Sequence, residues 1–268
     1  MKRVRADQLL VERGLAGTRA KAQALILAGR VTRAGRRVEK AGEKLPEDVP
    51  LEVAEGPRHV SRAGGKLEGA LEAFSVDPAG REALDVGAST GGFTQVLLER
   101  GASRVAAVDV GRGQLDWSLR TDPRVVVLDG LNARNLEAGR LPFRPSLAVV
   151  DVSFISLRLV LPAIAATLAE GGEVVALVKP QFEVGRGKVG PGGIVRDRVL
   201  HGEVLHALAA FARDSGWGVH GVAPSLVPGA EGNLEFFLHL VPAAGGLSAA
   251  EIARRIDRAV AGAHGDPA

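Results

Sequence analysis

Leu84-Asp85-Val86-Gly87-Ala88-Ser89-Thr90-Gly91-Gly92-Phe93 decides the fold of this 268-residue chain. The residues up to Val86 read as the end of a buried strand, the small residues as a turn, and the run from Gly92 as a helix start. An α/β nucleotide-cofactor site begins in this way. Gly87, Gly91 and Gly92 let backbone approach a ligand where side chains would clash. The helix start offers unpaired N–H groups to a carboxylate or phosphate. Ser89, Thr90 and Phe93 complete the set of candidate cofactor contacts on this turn. The glycine spacing departs from the GxGxxG of dinucleotide folds, and no GxxxxGKS/T run is present, which argues against NAD and against an NTPase loop.

Working outward, strands are expected at 82–86, 104–109, 125–129, 147–151, 173–179, 218–223 and 235–240, with helical segments between most of them and a helix over 65–74 ahead of the first. That alternation predicts a doubly wound α/β sheet. Asp109 ends the second strand, 24 residues after Asp85, where one carboxylate can accept both hydroxyls of a ribose. Asp129 ends the third strand and can sit near a base. The competing reading is that the three aspartates merely end their strands. Asp85, the glycine turn and Asp109 together resemble the S-adenosylmethionine site of class I methyltransferases.

Asp151 ends the fourth strand, and Lys179 follows 28 residues later at the end of the fifth. That gap fits one helix and one strand, so the two ends are neighbours, roughly 5 Å apart per strand step. The connection over 228–233 is short enough for a reversal, so Glu235 starts an antiparallel strand at the same edge. Spacing does not place Lys66 with these three. Taken singly, Lys179 and Glu235 also read as a structural ion pair at a sheet edge. As a group they suit proton transfer, because neighbouring charges tune the basicity of a lysine. The chain lacks the Asn/Asp-Pro-Pro-aromatic turn of many amino-methylating enzymes. It has no cysteine, which excludes thiolate nucleophiles, thiolate zinc sites and disulfides. A hydroxyl acceptor remains.

Residues 1–54 read as a separate small domain, joined through a linker at 55–60 to a second domain over 61–268. In the small domain Asp7 is expected to cap a helix over 8–13 and Thr18 a second over 19–28. Short strands follow at 31–33, 37–39 and 50–53, with a turn at 44–48. Residues 1–60 hold 13 Lys/Arg against 8 Asp/Glu, a net +5, so the rest carries −2 of the chain's +3. Such a basic module suggests nucleic acid or an acidic surface as partner, against the plainer reading of a solvated charged face. Arg5, Arg19, Lys21, Arg30, Arg33 and Arg36 are its candidate RNA contacts. Arg62 and, on a glycine-rich loop at 185–193, Arg186 and Lys188 are candidates in the second domain. Aromatics make 4% and tyrosine is absent, which disfavours stacking of single-stranded bases in the small domain. The amino terminus lacks the apolar run of a signal peptide, and the longest apolar region, 147–169, is interrupted by Asp151, Arg158 and Pro162. A cytoplasmic protein with no membrane partner and no bound metal is expected.

Two resemblances sharpen this. Arg5–Leu10, Thr18–Ala22 and Leu25–Val31 resemble the S4 RNA-binding domain, which implies binding to structured RNA. Ser61–Leu67, Asp85–Phe93, Asp151–Ser156, Val178–Glu183 and Asn233–Phe237 together resemble the TlyA family, in which an S4 domain precedes an FtsJ-like ribose methyltransferase. That resemblance implies a Lys66-Asp151-Lys179-Glu235 tetrad, S-adenosylmethionine as donor, and 2′-O-methylation of cytidine in ribosomal RNA or a ribosomal subunit. An RNA-binding assembly protein without turnover is the alternative. A membrane-lytic protein is a further one, because relatives carry a hemolysin label. Pseudouridine synthases also carry S4 domains, but the cofactor turn has no role in their chemistry.

Overall fold

The computed structural model describes residues 3–54, 58–185 and 187–265. The chain forms two compact units, Met1–Arg58 and His59–Ala268. Residues 55–57 of the expected linker lie outside the described residues.

The first unit contains β1 (Arg3–Arg5), α1 (Ala6–Glu12), α2 (Arg19–Leu27), β2 (Val31–Arg33), β3 (Arg36–Arg37), β4 (Lys44–Pro46) and β5 (Leu51–Val53). β1 pairs with β4, and β2 lies between β3 and β5. Val4, Leu9, Leu10, Ile26, Val31, Leu45 and Leu51 make its core. The turn expected at 44–48 is corrected: Lys44–Pro46 is a strand, because Leu45 pairs with Val4 and both side chains are buried. The expected cap at Asp7 is also corrected. Helix α1 starts two residues earlier than expected, at Ala6, without a side-chain cap. Asp7 instead turns inward and is fully buried. It accepts from Arg5 Nε and Nη2 at 3.0 Å each, Arg19 Nε at 3.0 Å and Gln23 Nε2 at 2.9 Å. These donors, the Arg5 guanidinium above all, hold the Asp7 carboxyl far below the usual carboxylate range.

In the second unit, α3 (Ala63–Phe74) leads into β6 (Glu82–Val86), α4 (Gly92–Glu99), β7 (Arg104–Asp109), α5 (Trp117–Arg120), β8 (Val125–Asp129) and β9 (Leu147–Val150). Then come α6 (Leu161–Thr167), β10 (Glu173–Val178), α7 (Arg198–Asp214), β11 (Trp217–Pro224), β12 (Phe236–Pro242) and α8 (Ala249–Ala263). The strands form one sheet in the order β11-β12-β10-β9-β6-β7-β8, with β12 antiparallel to both neighbours and the other neighbouring pairs parallel. This is the doubly wound class that the alternation predicts. The order departs from sequence order between β6 and β9, so the carboxyl ends flanking that switch open onto a crevice.

Both faces of the sheet are covered, and alternate residues point to each. Leu84, Val86, Ala148, Val150, Ala176 and Val178 face α6, α7 and α8. Ala83, Leu147, Val149, Val175 and Leu177 face α3 and α4. Burial on both sides explains the near-continuous apolar runs in these strands. Helix α8, which the sequence reading does not include, starts at Ser248, whose Oγ accepts from Glu251 N at 3.2 Å. It buries Ile252, Ile256, Ala259 and Val260.

Candidate active site

Two cavities open at the carboxyl ends of the central strands and share a wall. The larger, about 510 Å³, is lined by Asp109, Val110, Gln114, Leu131, Asn132 and Arg134 among others. The second, about 460 Å³, is lined by Arg62, Lys66, Phe93, Lys179, Phe182 and Glu235 among others. Gly87, Ser89, Asp151, Ser153 and Phe154 border both.

Register assembles the second cavity. Val178 of β10 pairs with Phe236 of β12, so Lys179, one residue past β10, and Glu235, one residue before β12, meet at the same edge. Ala176 pairs with Val150, which carries Asp151 to that edge as well. Helix α3 supplies Lys66 from above the sheet. The four charges form two ion pairs: Lys66 Nζ to Glu235 Oε2 at 2.6 Å, and Lys179 Nζ to Asp151 Oδ1 at 2.6 Å. The first pair is almost inaccessible, its side chains 9% and 2% exposed, whereas the second opens to the cavity at 11% and 16%. Gly229 presses against Glu235 so closely that a Cβ there would lie 2.2 Å from Oε1. The structure thus brings together all four residues of the expected tetrad.

In the larger cavity, Asp109 Oδ2 accepts from Ser89 N at 2.8 Å, and Oδ1 from Gly111 N at 2.7 Å. Each carboxylate oxygen keeps a second acceptor direction. Val110 is 72% exposed beside it, an apolar side chain at the rim with nothing apolar covering it. Leu131 lines the same cavity. A ribose diol against Asp109 and a flat base against Val110 and Leu131 fit this donor set, so an adenosine-type cofactor suits the residues present.

Other expected cofactor residues serve the scaffold. Gly87 lies where β6 passes β9: a Cβ would meet the Asp151 carbonyl oxygen at 2.3 Å, and its φ is +89°. Gly92 packs against the start of α3, where a Cβ would lie 2.9 Å from Gly64 N. Neither Gly91 nor Gly92 lines these two cavities, and a Cβ at either would clash, at Gly91 with Leu119 Cδ1 at 2.3 Å. Thr90 and Phe93 line the second cavity, not the first. Asp129 reaches neither cavity; it accepts from Gly113 N at 3.0 Å and pairs with Arg120 at 2.5 Å. Asp85 is fully buried behind the turn, accepting from Thr94 Oγ1 at 2.6 Å, and no hydrogen bond reaches its Oδ1.

Burial pushes the Asp85 carboxyl up to about 7; the Thr94 hydrogen bond opposes the rise and the charges of Asp151 and Asp109 add to it. A carboxyl raised on folding costs stability once the unfolded chain would ionise it. The cost grows from about pH 4 to pH 7 and is constant above, reaching roughly 4 kcal/mol. Asp85→Asn removes this dependence. Thermal unfolding should therefore show the variant gaining on the parent between pH 4 and pH 8. A gap between the two that stays constant with pH would refute the assignment.

The expected RNA contacts divide. Arg5 and Arg19 are tied to Asp7, Arg30 Nε donates to the Ala54 carbonyl at 3.2 Å, and Arg33 pairs with Glu43 at 2.8 Å. Lys21 and Arg36 are exposed. Arg33, Arg36, Arg37 and Lys40 border an open basin on the first unit. Arg62 lines the second cavity, and Lys188 pairs with Glu203 at 3.2 Å. Arg186 lies outside the described residues. Sequence reasoning missed Ser153, whose Oγ accepts from Lys179 Nζ at 2.8 Å. It also missed the structural part of Asn233, which is buried and bonds Val195 N, Gly193 O and Ala230 O. Among the described residues no group of three or more His, Asp or Glu could hold a metal ion, and no helix is long and apolar enough to cross a membrane.

Comparison with known proteins agrees with this geometry. Residues 59–241 match the FtsJ-like methyltransferase model, and residues 4–49 match the S4 domain. The 16S/23S rRNA (cytidine-2′-O)-methyltransferase TlyA of Mycobacterium tuberculosis is 50% identical over 241 residues, covering 89% of this chain and 90% of that protein. Hemolysin A of Brachyspira hyodysenteriae is 39% identical, covering 89% of this chain and all of that one. A solved structure from Streptococcus thermophilus, 44% identical, superposes with a TM-score of 0.75 over 98% of this chain and 96% of its own. The chain belongs to the TlyA family, in which an S4 domain precedes an FtsJ-like methyltransferase domain.

Proposed function

We propose that this methyltransferase transfers the methyl group of S-adenosylmethionine to the ribose 2′-hydroxyl of a cytidine in ribosomal RNA. The observation that carries the reading is the shared wall: a nucleoside-sized cavity with Asp109 on one side, and a lysine–carboxylate cavity on the other, meeting at Asp151 and Ser153. The substrate class follows the M. tuberculosis relative and the S4 domain.

Asp109 would hold the ribose hydroxyls of the donor, and Val110 and Leu131 would flank its base. When bound, S-adenosylmethionine supplies a methyl carbon made electrophilic by the adjoining sulfonium. The chain supplies alignment and proton handling. Lys179 takes the proton of the acceptor hydroxyl and holds it at Nζ, while Asp151 fixes the amine. Lys66, clamped by Glu235, places a second positive charge on the same wall, where it stabilises negative charge on the acceptor oxygen. Phe154 is 90% exposed on the seam and its ring lies 4.9 Å from that of Phe182, giving the target nucleotide an aromatic edge to rest on. Arg62 at the cavity and the basin around Arg36 and Lys40 would take backbone phosphates.

Asp109→Ala should weaken donor binding about 10- to 100-fold, as expected for losing charge-assisted hydrogen bonds to two hydroxyls. Titration calorimetry with S-adenosylmethionine reads this directly. Donor affinity that is unchanged by the substitution would remove Asp109 from the site. Transfer of labelled methyl to separated ribosomal subunits and to naked rRNA then tests the substrate class; label on neither would favour an RNA-binding protein without turnover.

A further inference from the structure

We propose that Ser153 is a positioning residue for methyl transfer: together with Asp151 it fixes the direction in which Lys179 meets the acceptor hydroxyl. The inference rests on Lys179 as the group that takes the proton. An amine in that role carries two N–H bonds and one lone pair, set in three staggered positions about the Cε–Nζ bond. Asp151 Oδ1 lies 2.6 Å from Nζ as an ion pair with no hydrogen bond formed, and its negative charge favours an N–H over the lone pair in the nearest well. Ser153 Oγ lies 2.8 Å from Nζ and takes the second. The lone pair is left in the third position, on the side of the acceptor cavity that Lys179, Asp151 and Ser153 all line. Once the proton has arrived, the same position is an N–H that donates to the 2′-oxygen. Without Ser153 no hydrogen bond fixes the rotation about Cε–Nζ, and the lone pair divides between wells turned toward the acceptor and away from it.

The backbone around Ser153 is held in place at some cost. Phe154 has φ +61°, a left-handed conformation that non-glycine residues adopt only where their surroundings impose it. The imposing contacts come from the segment just after Lys179. The Phe182 ring packs on Phe154. The Glu183 carboxylate accepts from Ser156 Oγ at 2.6 Å and Leu157 N at 2.8 Å. The segment that carries Ser153 is thereby locked to the one that carries Lys179, which keeps a 2.8 Å contact between two partly open side chains in register.

The test is single-turnover methyl transfer by Ser153→Ala and Ser153→Thr beside wild type and Lys179→Ala, with RNA concentration varied. Ser153→Ala should lower the maximal rate at saturating donor about 5- to 20-fold, with half-saturating RNA unchanged. Ser153→Thr, which restores the hydroxyl, should recover most of the loss. A Ser153→Ala rate within twofold of wild type, or a threonine variant no better than alanine, overturns the proposal. Equal rates for wild type and Lys179→Ala would overturn the underlying reading of Lys179 instead.

Discussion

Lys179→Ala is expected to lower methyl transfer about 10²- to 10⁴-fold, the range that a lost general base removes, while S-adenosylmethionine still binds. Lys179 lines the acceptor cavity but not the larger one that suits the donor, so the two effects separate. Lys179→Arg should fail nearly as badly: a guanidinium stays protonated, so it cannot accept the hydroxyl proton. Single-turnover rates with donor affinity measured in parallel decide the matter. A variant retaining more than a tenth of the wild-type rate would mean that Lys179 is a structural partner of Asp151 and no more.

Glu235→Ala should be the most destabilising of the tetrad substitutions. It leaves the Lys66 ammonium, 9% exposed, without its carboxylate at 2.6 Å. Breaking a buried ion pair from one side costs about 3–5 kcal/mol, which for a unit of this size lowers the unfolding temperature by roughly 6–20 °C. Because that loss would confound an activity measurement, the informative variant is the pair Lys66→Met with Glu235→Leu. Replacing both charges by apolar groups should recover most of the stability, since the pair's own desolvation offsets much of its attraction. The double variant should remain inactive, because activity needs the positive charge of Lys66 and not merely a filled space. Recovery of both stability and turnover would reduce the pair to packing.

The four charged residues differ in how far their meeting is legible in the sequence. Lys179, Asp151 and Glu235 lie at strand ends, and the gaps between strands set which ends adjoin. The reversal into β12 then puts Glu235 beside Lys179, as the Val178–Phe236 pairing requires. Lys66 is different. It sits on a helix packed across the sheet, and its direction depends on Gly92 letting the start of α3 approach α4. No spacing in the chain encodes that approach, so only the family resemblance placed Lys66 in the tetrad.

The burial of Asp85 is hidden in the sequence for a similar reason. Its strand was clear, but the face on which its side chain lies depends on α4 covering it with Thr94. Asp7 looked like a helix cap because it precedes an apolar run; the convergence of Arg5, Arg19 and Gln23 on it is tertiary. Helix α8, by contrast, carried its own signals in Ser248, Glu251 and the spacing of Ile252, Ile256 and Val260. Ser153 stood inside a quoted motif, yet only the turn at Phe154 brings its hydroxyl to Lys179.

Methylation of a ribose hydroxyl by this site is tested most directly by alkaline hydrolysis of ribosomal RNA labelled by the purified protein with methyl-tritiated S-adenosylmethionine. A 2′-O-methyl group blocks cleavage at its own phosphodiester, so the account predicts label in an alkali-resistant dinucleotide that begins with cytidine, absent when Lys179→Ala is used. Label released in mononucleotides would place the methyl group on a base and contradict it.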